Sequence, residues 1–441
     1  MDQTVNNGFI SVAIQYRLGA FGFLSSAALV EHGGLPNAAL HDMRFALQWV
    51  EKYISRFGGD PDQVTIGGES AGGGSVMLLA MANGGEEKTS LFRRAISSSP
   101  YLPTQPNFDD PLPTEYYQEF ARRAGCLSPD SDSAFKCLQN ADTLVLQNAS
   151  AYTSYGAKYG QWSFIPVTDG KLIRKRPTEQ LREGKVNGEA ILTGNNANEG
   201  NNFVPQNITT ESHFISFLKL NYPLLSPANL AAVMKLYSID TDTTAPSTRF
   251  DTDGLHPPYA TSMSAFASGW QQAANNLYAE TTFVCSANWL ADAFTVTGNT
   301  LKYGDPLRPN RTAWRYQFSI PNAFHGQDVA PLLADPTVPD ARIQSEEFRR
   351  GFQSIWGRFI VAGDPTLPGE LTGASDSGDG GNWFDGSWWN ARGWHEMLNI
   401  NVTEGTTPQG VNWAVVDGNE WEGWRRERCG LWAELGEVIR Q

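Results

Sequence analysis

The first sixty residues switch between two hydrophobic periodicities. Residues Phe9–Tyr16 are rich in β-branched and aromatic side chains, which predicts a buried strand. From His41 to Ile54 apolar residues recur every three or four positions, which predicts an amphipathic helix. Glycine and proline in the following FGGDPD run end that helix. The chain therefore opens with a strand and a helix.

Four further β-rich runs extend this pattern along the chain. Val64–Gly67 and Arg94–Ser97 predict short strands, with a small-residue helix at Ala71–Ala82 between them. Two more strands are predicted at Glu189–Thr193 and Thr312–Ile320. Strand, helix and strand in this order predict an α/β fold with a mostly parallel sheet and right-handed crossovers.

The later part of the chain predicts additional helical structure. Apolar residues between 348 and 360 lie on one face of a long C-terminal helix. Residues 369–394 are rich in Gly, Ser, Asp and Trp and predict an irregular surface region. We expect one α/β domain over 1–441, with a helical insertion or cap at about 205–300.

Composition and charge narrow the classes of function. The 441 residues include 41% hydrophobic and 18% charged residues, which is ordinary for a globular enzyme. The net charge of -14 argues against nucleic acid as a partner, because phosphate binding needs clustered lysine and arginine. No apolar run approaches the roughly 20 residues of a membrane span, so stable membrane insertion is not expected.

Cysteines and glycosylation sequons together favour a secreted protein. The four cysteines, which form no C-x-x-C pair, are Cys126, Cys137, Cys285 and Cys429. The four Asn-x-Ser/Thr sequons, our candidates for glycosylation, begin at Asn148, Asn207, Asn310 and Asn401. Against secretion, the polar start Met1–Gly8 does not read as a signal peptide. Cysteine spacing alone does not distinguish two disulfides from four buried thiols.

One sequence motif predicts a catalytic serine. Residues Gly68 to Gly72 match G-x-S-x-G, the pattern of a serine nucleophile on a tight strand-to-helix turn. The pattern is weak alone, but a β-rich run precedes it and a helical run follows it. Both glycines are expected where a Cβ would meet the adjacent strand or helix. The alternative is a Gly-rich helix start with Ser70 as its capping residue.

A serine hydroxyl needs a general base, and six histidines compete for that role. His325 is favoured because it follows the predicted strand Thr312–Ile320, and chemistry in parallel sheets lies at the carboxyl ends of strands. His41 is expected to be structural within its helix. The other histidines follow no clear strand and are His32, His213, His256 and His395.

The base in turn needs an acid that orients it. Glu199 lies in the loop GNNANEG, after the predicted strand Glu189–Thr193. Asp169 and Asp305 are alternatives, although both occur in turn contexts. The order Ser70, Glu199, His325 is the serine, acid, histidine order of α/β-hydrolases.

Several segments together resemble the type-B carboxylesterase/lipase family, which includes fungal lipases and cholinesterases. The segments that carry the resemblance are the nucleophile region 37–73, WSFIPVTDGKLI at 162–173, TGNNANEGNNF at 193–203, NAFHGQDVAPLL at 322–333 and GRFIVAGDPT at 357–366. The resemblance implies an α/β-hydrolase fold, an ester substrate, no metal or cofactor, and a catalytic triad. It places that triad on Ser70, Glu199 and His325.

The resemblance has further implications for disulfides and for the oxyanion hole. It implies the pairs Cys126–Cys137 and Cys285–Cys429. It also implies that the backbone N–H of Ala71 donates to the oxyanion, together with a His-Gly-Gly-Gly loop upstream of Phe9–Tyr16. Since the chain begins after the point where such a loop would lie, we expect an N-terminally truncated chain, with its signal peptide and first strands missing. Low solubility and esterase activity near background are then expected.

Two functions follow from these expectations. The first is a secreted serine esterase or lipase that cleaves small-molecule or lipid esters through an acyl-enzyme intermediate. The second is a catalytically impaired or non-catalytic binding module of the same fold. Acyl-chain and alcohol specificity and the oligomeric state do not follow from the sequence.

Overall fold

The central sheet has six strands in the part of the chain that the structure describes. The computed structural model describes residues 5–239 except 7, and residues 259, 261–264, 266–295, 311–333, 346–367, 396–401 and 412–441. The strands are β1 (Thr65–Glu69), β2 (Arg94–Ser98), β3 (Ala190–Asn196), β4 (Thr312–Phe318), β5 (Glu396–Asn401) and β6 (Asn412–Asp417).

The strands are arranged in sequence order, so each neighbour in the chain is also a neighbour in the sheet. β1 to β5 run parallel, and β6 pairs antiparallel with β5. The predicted α/β fold with a mostly parallel sheet is confirmed. The four strands predicted between 64 and 320 correspond to β1 to β4. The sequence patterns did not predict β5 and β6.

Helices connect and cover the strands. The helices before β3 are α1 (Gly19–Phe23), α2 (Ala27–Glu31), α3 (Ala38–Tyr53), α4 (Ala71–Met81), α5 (Pro111–Arg123), α6 (Ser131–Asn140), α7 (Thr143–Tyr155) and α8 (Pro177–Arg182). The helices after β3 are α9 (Glu211–Asn221), α10 (Pro227–Leu236), α11 (Gly269–Ala279), α12 (Cys285–Thr295), α13 (Val329–Leu333), α14 (Glu346–Ala362), α15 (Trp421–Glu434) and α16 (Gly436–Ile439). A π-helical turn, Glu280–Val284, joins α11 to α12.

The two faces of the sheet are covered by different helices. Successive side chains of a strand point to opposite faces, and Ile191 and Leu192 of β3 belong to two different clusters of buried residues. The cluster around Ile191 includes α4 and α12, whereas the cluster around Leu192 includes α14. The long helix predicted for residues 348–360 is α14, and its apolar face covers the second side of the sheet.

The N-terminal prediction of a buried strand is wrong. No strand is assigned to residues 8–18, and the side chains of Ile10, Val12 and Ile14 are 45%, 44% and 36% exposed. A β-rich composition favours a strand only where a neighbouring strand supplies hydrogen bonds. No described residue pairs with this segment as a strand. It is anchored by Arg17, whose side chain forms two hydrogen bonds of 2.8 Å with Asp42.

Both disulfide pairs that the resemblance implied are present. Cys126 is bonded to Cys137, and Cys285 is bonded to Cys429. The second bond joins α12 to α15 and therefore fastens α15 to a helix beside the sheet. The structure thus favours two disulfides over four buried thiols.

The four sequons differ in their exposure. Asn148 on α7 and Asn207 in a loop are exposed. Asn401 at the end of β5 has no exposed surface, which disfavours a glycan there. Asn310 lies outside the described residues, as does the segment 369–394.

Helix α4 packs directly on the backbone around the end of β2. A Cβ added to Gly73 would collide with the carbonyl oxygen of Ser98, and a Cβ added to Gly74 would collide with the carbonyl oxygen of Tyr101. The absence of side chains at Gly73 and Gly74 therefore sets how closely the helix approaches β2. Gly72 differs, because a Cβ there would meet no atom within 4 Å.

We predict that Gly73→Ala destabilises the protein and that Gly72→Ala does not. Forcing a methyl group into the contact between α4 and β2 costs about 1–3 kcal/mol. Alanine at position 72 meets no clash and restricts the unfolded chain, so stability should be unchanged or slightly higher. Thermal unfolding of the two variants beside the parent protein tests this. Equal melting temperatures for both variants would contradict the packing argument.

Candidate active site

Three loops at one edge of the sheet bring together a serine, a histidine and a glutamate. Ser70 follows β1 directly, Glu199 lies three residues after β3, and His325 lies seven residues after β4. All three strands run parallel, so their carboxyl ends meet at the same edge. Residues that are up to 255 positions apart in the chain thereby become neighbours.

Ser70 occupies a sharp turn between β1 and α4. Its backbone has φ 58° and ψ -121°, a conformation that side-chain-bearing residues rarely adopt. The turn is held by hydrogen bonds of 3.1 Å from the Ser70 N–H to Ser98 and from the Tyr101 N–H to the Ser70 carbonyl. The Ser70 side chain makes no capping hydrogen bond to α4, so the alternative role as a helix cap has no support.

The two glycines of the motif have different roles. A Cβ on Gly68 would lie 2.5 Å from backbone atoms of Gly72, so glycine is required there. The same requirement was expected for Gly72, but that expectation is wrong because the space beside it is open. On this side of the turn, the positions with no room for a side chain are Gly73 and Gly74.

His325 connects the serine to the glutamate. Its Nε2 lies 2.7 Å from Oγ of Ser70, and its Nδ1 forms a hydrogen bond with the Glu199 carboxylate. The imidazole ring also packs against Phe203, at 5.2 Å between ring centroids, and against Phe283, at 4.4 Å. These contacts fix both the position and the plane of the ring.

The Glu199 carboxylate is fully buried and hydrogen-bonded on its other oxygen. The Ser99 hydroxyl and the Asn196 backbone N–H each donate to Oε1 at 2.6 Å. A buried carboxylate is costly unless such donors compensate for lost water. The two donors therefore compensate the buried carboxylate for its lost water and aim Glu199 at the imidazole.

A second glutamate, Glu69, lies on the serine side of the imidazole. Its Oε1 is 3.4 Å from His325 Nε2 and is buried without a hydrogen-bond partner. Burial raises the pKa of Glu69 to about 7, and the charges of Asp328 and Glu199 add to this effect while that of His325 opposes it. Sequence reasoning missed Glu69 because the motif accepts any residue at its second position.

Asp328 adds a third carboxyl group near the imidazole. It accepts hydrogen bonds from Asn196 Nδ2 at 3.0 Å and from the Tyr316 hydroxyl at 2.7 Å. Burial raises the pKa of Asp328, although these two donors stabilise its charged form. The Tyr316 hydroxyl also lies 2.8 Å from Ser98 Oγ, so this network ties the histidine loop to β4 and β2.

The electrostatics around His325 favour its protonated form. Burial lowers the pKa of His325, but the charge and hydrogen bond of Glu199, followed by the charges of Glu69 and Asp328, outweigh it. The pKa of His325 therefore lies above 6.5. Such a histidine accepts a proton readily once it is neutral.

The other histidines and aspartates that were candidates for the base and the acid make different contacts. His32 bonds to Ser131, His213 lies beside Thr209, and burial lowers the pKa of His41 on α3. Asp169 accepts a 2.6 Å hydrogen bond from Asn37 and two backbone N–H bonds in its own turn, which is a structural role. His256, His395 and Asp305 lie outside the described residues.

A cavity of about 250 Å³ lies one layer of aromatic rings away from His325. Its lining includes Tyr101 and Tyr278. The Tyr278 ring stacks on Phe203 at 5.5 Å, and the Tyr101 ring packs on Phe283 at 5.7 Å. Phe203 and Phe283 are the two rings that contact His325, so they connect the wall of the cavity to the imidazole.

The described part of the chain contains neither a metal-binding cluster nor a membrane-spanning helix. No group of three or more His, Cys, Asp or Glu side chains comes together there in a way that would hold a metal ion. None of the helices described combines the length and the apolar character that a membrane span requires.

Comparison with known proteins places the chain in a family. The model of the family described as "Carboxylesterase family" matches residues 3–384. The chain belongs to the carboxylesterase family. The resemblance inferred from the sequence is thereby confirmed.

Curated carboxylesterase-family relatives are fungal proteins. Secreted lipase 4 of Gibberella zeae is 28% identical over 81% of this chain and 60% of its own length. Carboxylesterase patB of Penicillium expansum is 31% identical over 68% of this chain and 48% of its own length. Lipase 1 of Geotrichum candidum is 37% identical over 52% of this chain and 42% of its own length. The chain thus spans between about two fifths and three fifths of these relatives.

A solved structure shares the carboxylesterase-family fold. The crystal structure of Aspergillus niger EstA superposes with a TM-score of 0.73 at 23% sequence identity. The match covers 100% of this chain and 77% of that one. It establishes the common fold of the two chains.

We predict that Glu69→Gln moves the acidic limb of the pH profile of ester hydrolysis to lower pH. The base must be neutral to accept a proton, so kcat/KM rises with pH through the pKa of His325, which lies above 6.5. The charge of Glu69 raises that pKa, and the glutamine variant removes the charge. Profiles of kcat/KM from pH 5 to 9 test this, with Glu51→Gln on the exposed side of α3 as the control. An unchanged or upward-shifted limb in Glu69→Gln would contradict the assignment.

Proposed function

We propose that this chain is a serine carboxyl-ester hydrolase that acts through Ser70, His325 and Glu199. The observation that carries the proposal is the continuous hydrogen-bonded chain from Ser70 Oγ through both imidazole nitrogens to the buried Glu199 carboxylate. Such an arrangement is the minimum that turns an alcohol into a nucleophile near neutral pH. Membership of the carboxylesterase family supports the same reaction class.

Acylation begins with proton transfer from Ser70 to His325. As Oγ of Ser70 attacks the ester carbonyl carbon, Nε2 of His325 takes the hydroxyl proton, and Glu199 stabilises the imidazolium that forms. When the tetrahedral intermediate collapses, the carbon–oxygen bond to the alcohol breaks. His325 gives its proton to the departing alcohol oxygen, which leaves the acyl group on Ser70.

Deacylation repeats these steps with water. His325 removes a proton from water as the water oxygen attacks the acyl carbon. The bond to Ser70 Oγ then breaks, and His325 returns the proton to Oγ. The products are a carboxylic acid and the regenerated serine.

The developing oxyanion needs preorganised donors. Ala71 is the first residue of α4, where a backbone N–H has no acceptor within the helix. It is exposed beside the nucleophile. We assign one oxyanion donor to Ala71 and expect further donors from a glycine-rich segment of the type that the family implies.

The substrate class follows from the cavity and from the relatives. The cavity is lined by apolar groups such as Trp162, Ile165 and Leu224, with polar groups such as Gln161 and Asn221 among them. We propose that it receives the acyl or alcohol part of a small-molecule or lipid ester. Two disulfides, and relatives named as secreted lipases, support an extracellular location.

The alternative, a non-catalytic binding module of the same fold, has less support. Such a module has no need of a nucleophile, base and acid in hydrogen-bonded order. Covalent labelling of the serine separates the two functions, because it requires an activated nucleophile rather than a bound substrate.

We predict that a fluorophosphonate probe labels Ser70 and that Ser70→Ala abolishes both labelling and ester hydrolysis. Loss of a triad member typically lowers kcat by about 10⁴-fold or more. Peptide mapping of the labelled protein identifies the modified residue. Ser75→Ala is the matched control, since Ser75 lies on α4 and bonds only the Ala71 carbonyl. Undiminished turnover of p-nitrophenyl esters by Ser70→Ala would refute the proposal.

We also predict that Leu224→Glu discriminates between long and short acyl chains. Leu224 lines the cavity and is 55% exposed, so a carboxylate there disfavours an apolar chain. Losing the burial of two methylene groups costs about 1.6 kcal/mol, or roughly tenfold in kcat/KM. The measurement compares p-nitrophenyl octanoate with the acetate, whose hydrolysis should change little. The control is Leu220→Glu, because Leu220 is similarly exposed but does not line the cavity. Equal effects on both esters would count against this role for the cavity.

A further inference from the structure

Helix α7 has the reverse of the usual amphipathic pattern. Its buried residues are the small ones, Ala149, Ser150 and Thr153. Four of its five large apolar residues face outward, with exposures of 67% for Leu144, 42% for Val145, 59% for Tyr152 and 85% for Tyr155. The fifth, Leu146, is partly buried against the cluster that contains Phe120. A surface helix normally turns its large apolar residues toward the core.

Close contacts on the buried side fix this orientation. The Ala20 N–H donates to Ser150 Oγ at 3.1 Å, and a Cβ added to Gly19 would lie 2.7 Å from the same oxygen. The Ser163 hydroxyl donates to the Thr153 carbonyl at 2.9 Å. A larger side chain at 150 has no room beside Gly19. The helix therefore cannot rotate to bury its apolar side.

The outward residues form a single row on the helix. Positions 144, 148, 152 and 155 are separated by four, four and three residues, so they lie along one face. We call Leu144, Tyr152 and Tyr155 the α7 stripe. Asn148 lies in the middle of that row, is exposed, and begins the sequon Asn148-Ala149-Ser150.

We propose that Asn148 carries an N-linked glycan and that this glycan covers the α7 stripe. The proposal rests on the extracellular location proposed above. The glycan is attached between Leu144 and Tyr152, so its first sugars lie over both residues. Because the glycan is covalently bound, this contact does not require a separate molecule to associate. The guanidinium of Arg123 lies over one face of the Tyr152 ring, 5.9 Å from its centroid, so the C–H side of a sugar ring would pack on the opposite face.

The other sequons do not share this setting. Asn207 is exposed, but its exposed neighbours Gln206, Thr209 and Thr210 are polar. Asn401 is fully buried. Among the sequons in the described part of the chain, Asn148 is therefore the one whose glycan would shield apolar surface.

The expected consequence of the glycan is protection against self-association. Contiguous exposed apolar surface on a soluble protein marks an interaction site or an aggregation hazard. A bulky, solvated oligosaccharide removes that hazard without altering the packing below it. The catalytic residues lie on other elements, so ester hydrolysis by the monomer should not depend on the glycan.

The first test measures occupancy. The chain is secreted from a yeast host behind a heterologous signal sequence, and its peptides are mapped by mass spectrometry before and after removal of N-glycans. We expect the peptide containing Asn148 to be glycosylated. An unmodified Asn148 in the secreted protein would overturn the proposal.

The second test measures the covering role. Asn148→Gln should shift the protein toward dimers or larger species on size-exclusion chromatography and increase its binding of a hydrophobic dye. Asn207→Gln, which removes a glycan from a polar surface, is the control and should behave like the parent. Replacing Leu144 and Tyr155 by glutamine in the Asn148→Gln protein should restore the monomer. Identical behaviour of Asn148→Gln and Asn207→Gln would overturn the covering role.

A third measurement works on folded protein and does not depend on secretion of the variants. Endoglycosidase H leaves one sugar on asparagine, whereas peptide N-glycosidase F leaves none. If the first sugar covers Tyr152, only the second enzyme should cause self-association. A parent glycoprotein that already dimerises through the α7 stripe would instead assign the stripe to a second copy of the chain. Hydrolysis of p-nitrophenyl acetate, measured in parallel, tests the proposed catalytic function separately.

Discussion

The contact between α4 and the backbone around the end of β2 is the constraint on which the candidate active site depends. Gly73 and Gly74 allow the helix to approach Ser98 and Tyr101, and Gly68 lets the chain turn back on Gly72. The same contact forces Ser70 into a backbone conformation that side-chain-bearing residues rarely adopt. The packing of α4 offsets the free-energy cost of that backbone conformation. The serine hydroxyl consequently projects beyond the edge of the sheet.

Three carboxyl groups surround the imidazole of His325. Glu199 is buried with two donors and Asp328 is buried with its own donors. Glu69 is partly buried and has one buried oxygen without a hydrogen-bond partner. Together with the hydrogen bond from His325 to Glu199, these charges outweigh the effect of burial, so the imidazolium is stabilised just where the proposed mechanism forms it. Burial, with a smaller contribution from the charges of Asp328 and Glu199, raises the pKa of Glu69 to about 7.

The sequence by itself determined the local elements and the order of the chemistry. Helices α3 and α14 follow from the 3.6-residue period of their apolar residues. Strands β1 to β4 follow from their β-rich composition, and α4 follows from a run of small residues between two such strands. Ser70 follows from its motif in a strand–turn–helix context, and Glu199 and His325 follow from loops after predicted strands. The resemblance to carboxylesterases added the two disulfide pairs, which no spacing rule supplies.

Tertiary structure alone decided which residues meet and which surfaces stay exposed. Glu69 joins the site because β1 and the histidine loop converge, and no local pattern encodes that convergence. Phe9–Tyr16 has strand-like composition but no partner strand among the described residues, and pairing is a non-local property. Likewise, α7 exposes Tyr152 and Tyr155 because the space beneath the helix admits only small side chains. Periodicity reports what a segment prefers, whereas packing against distant segments decides whether that preference is met.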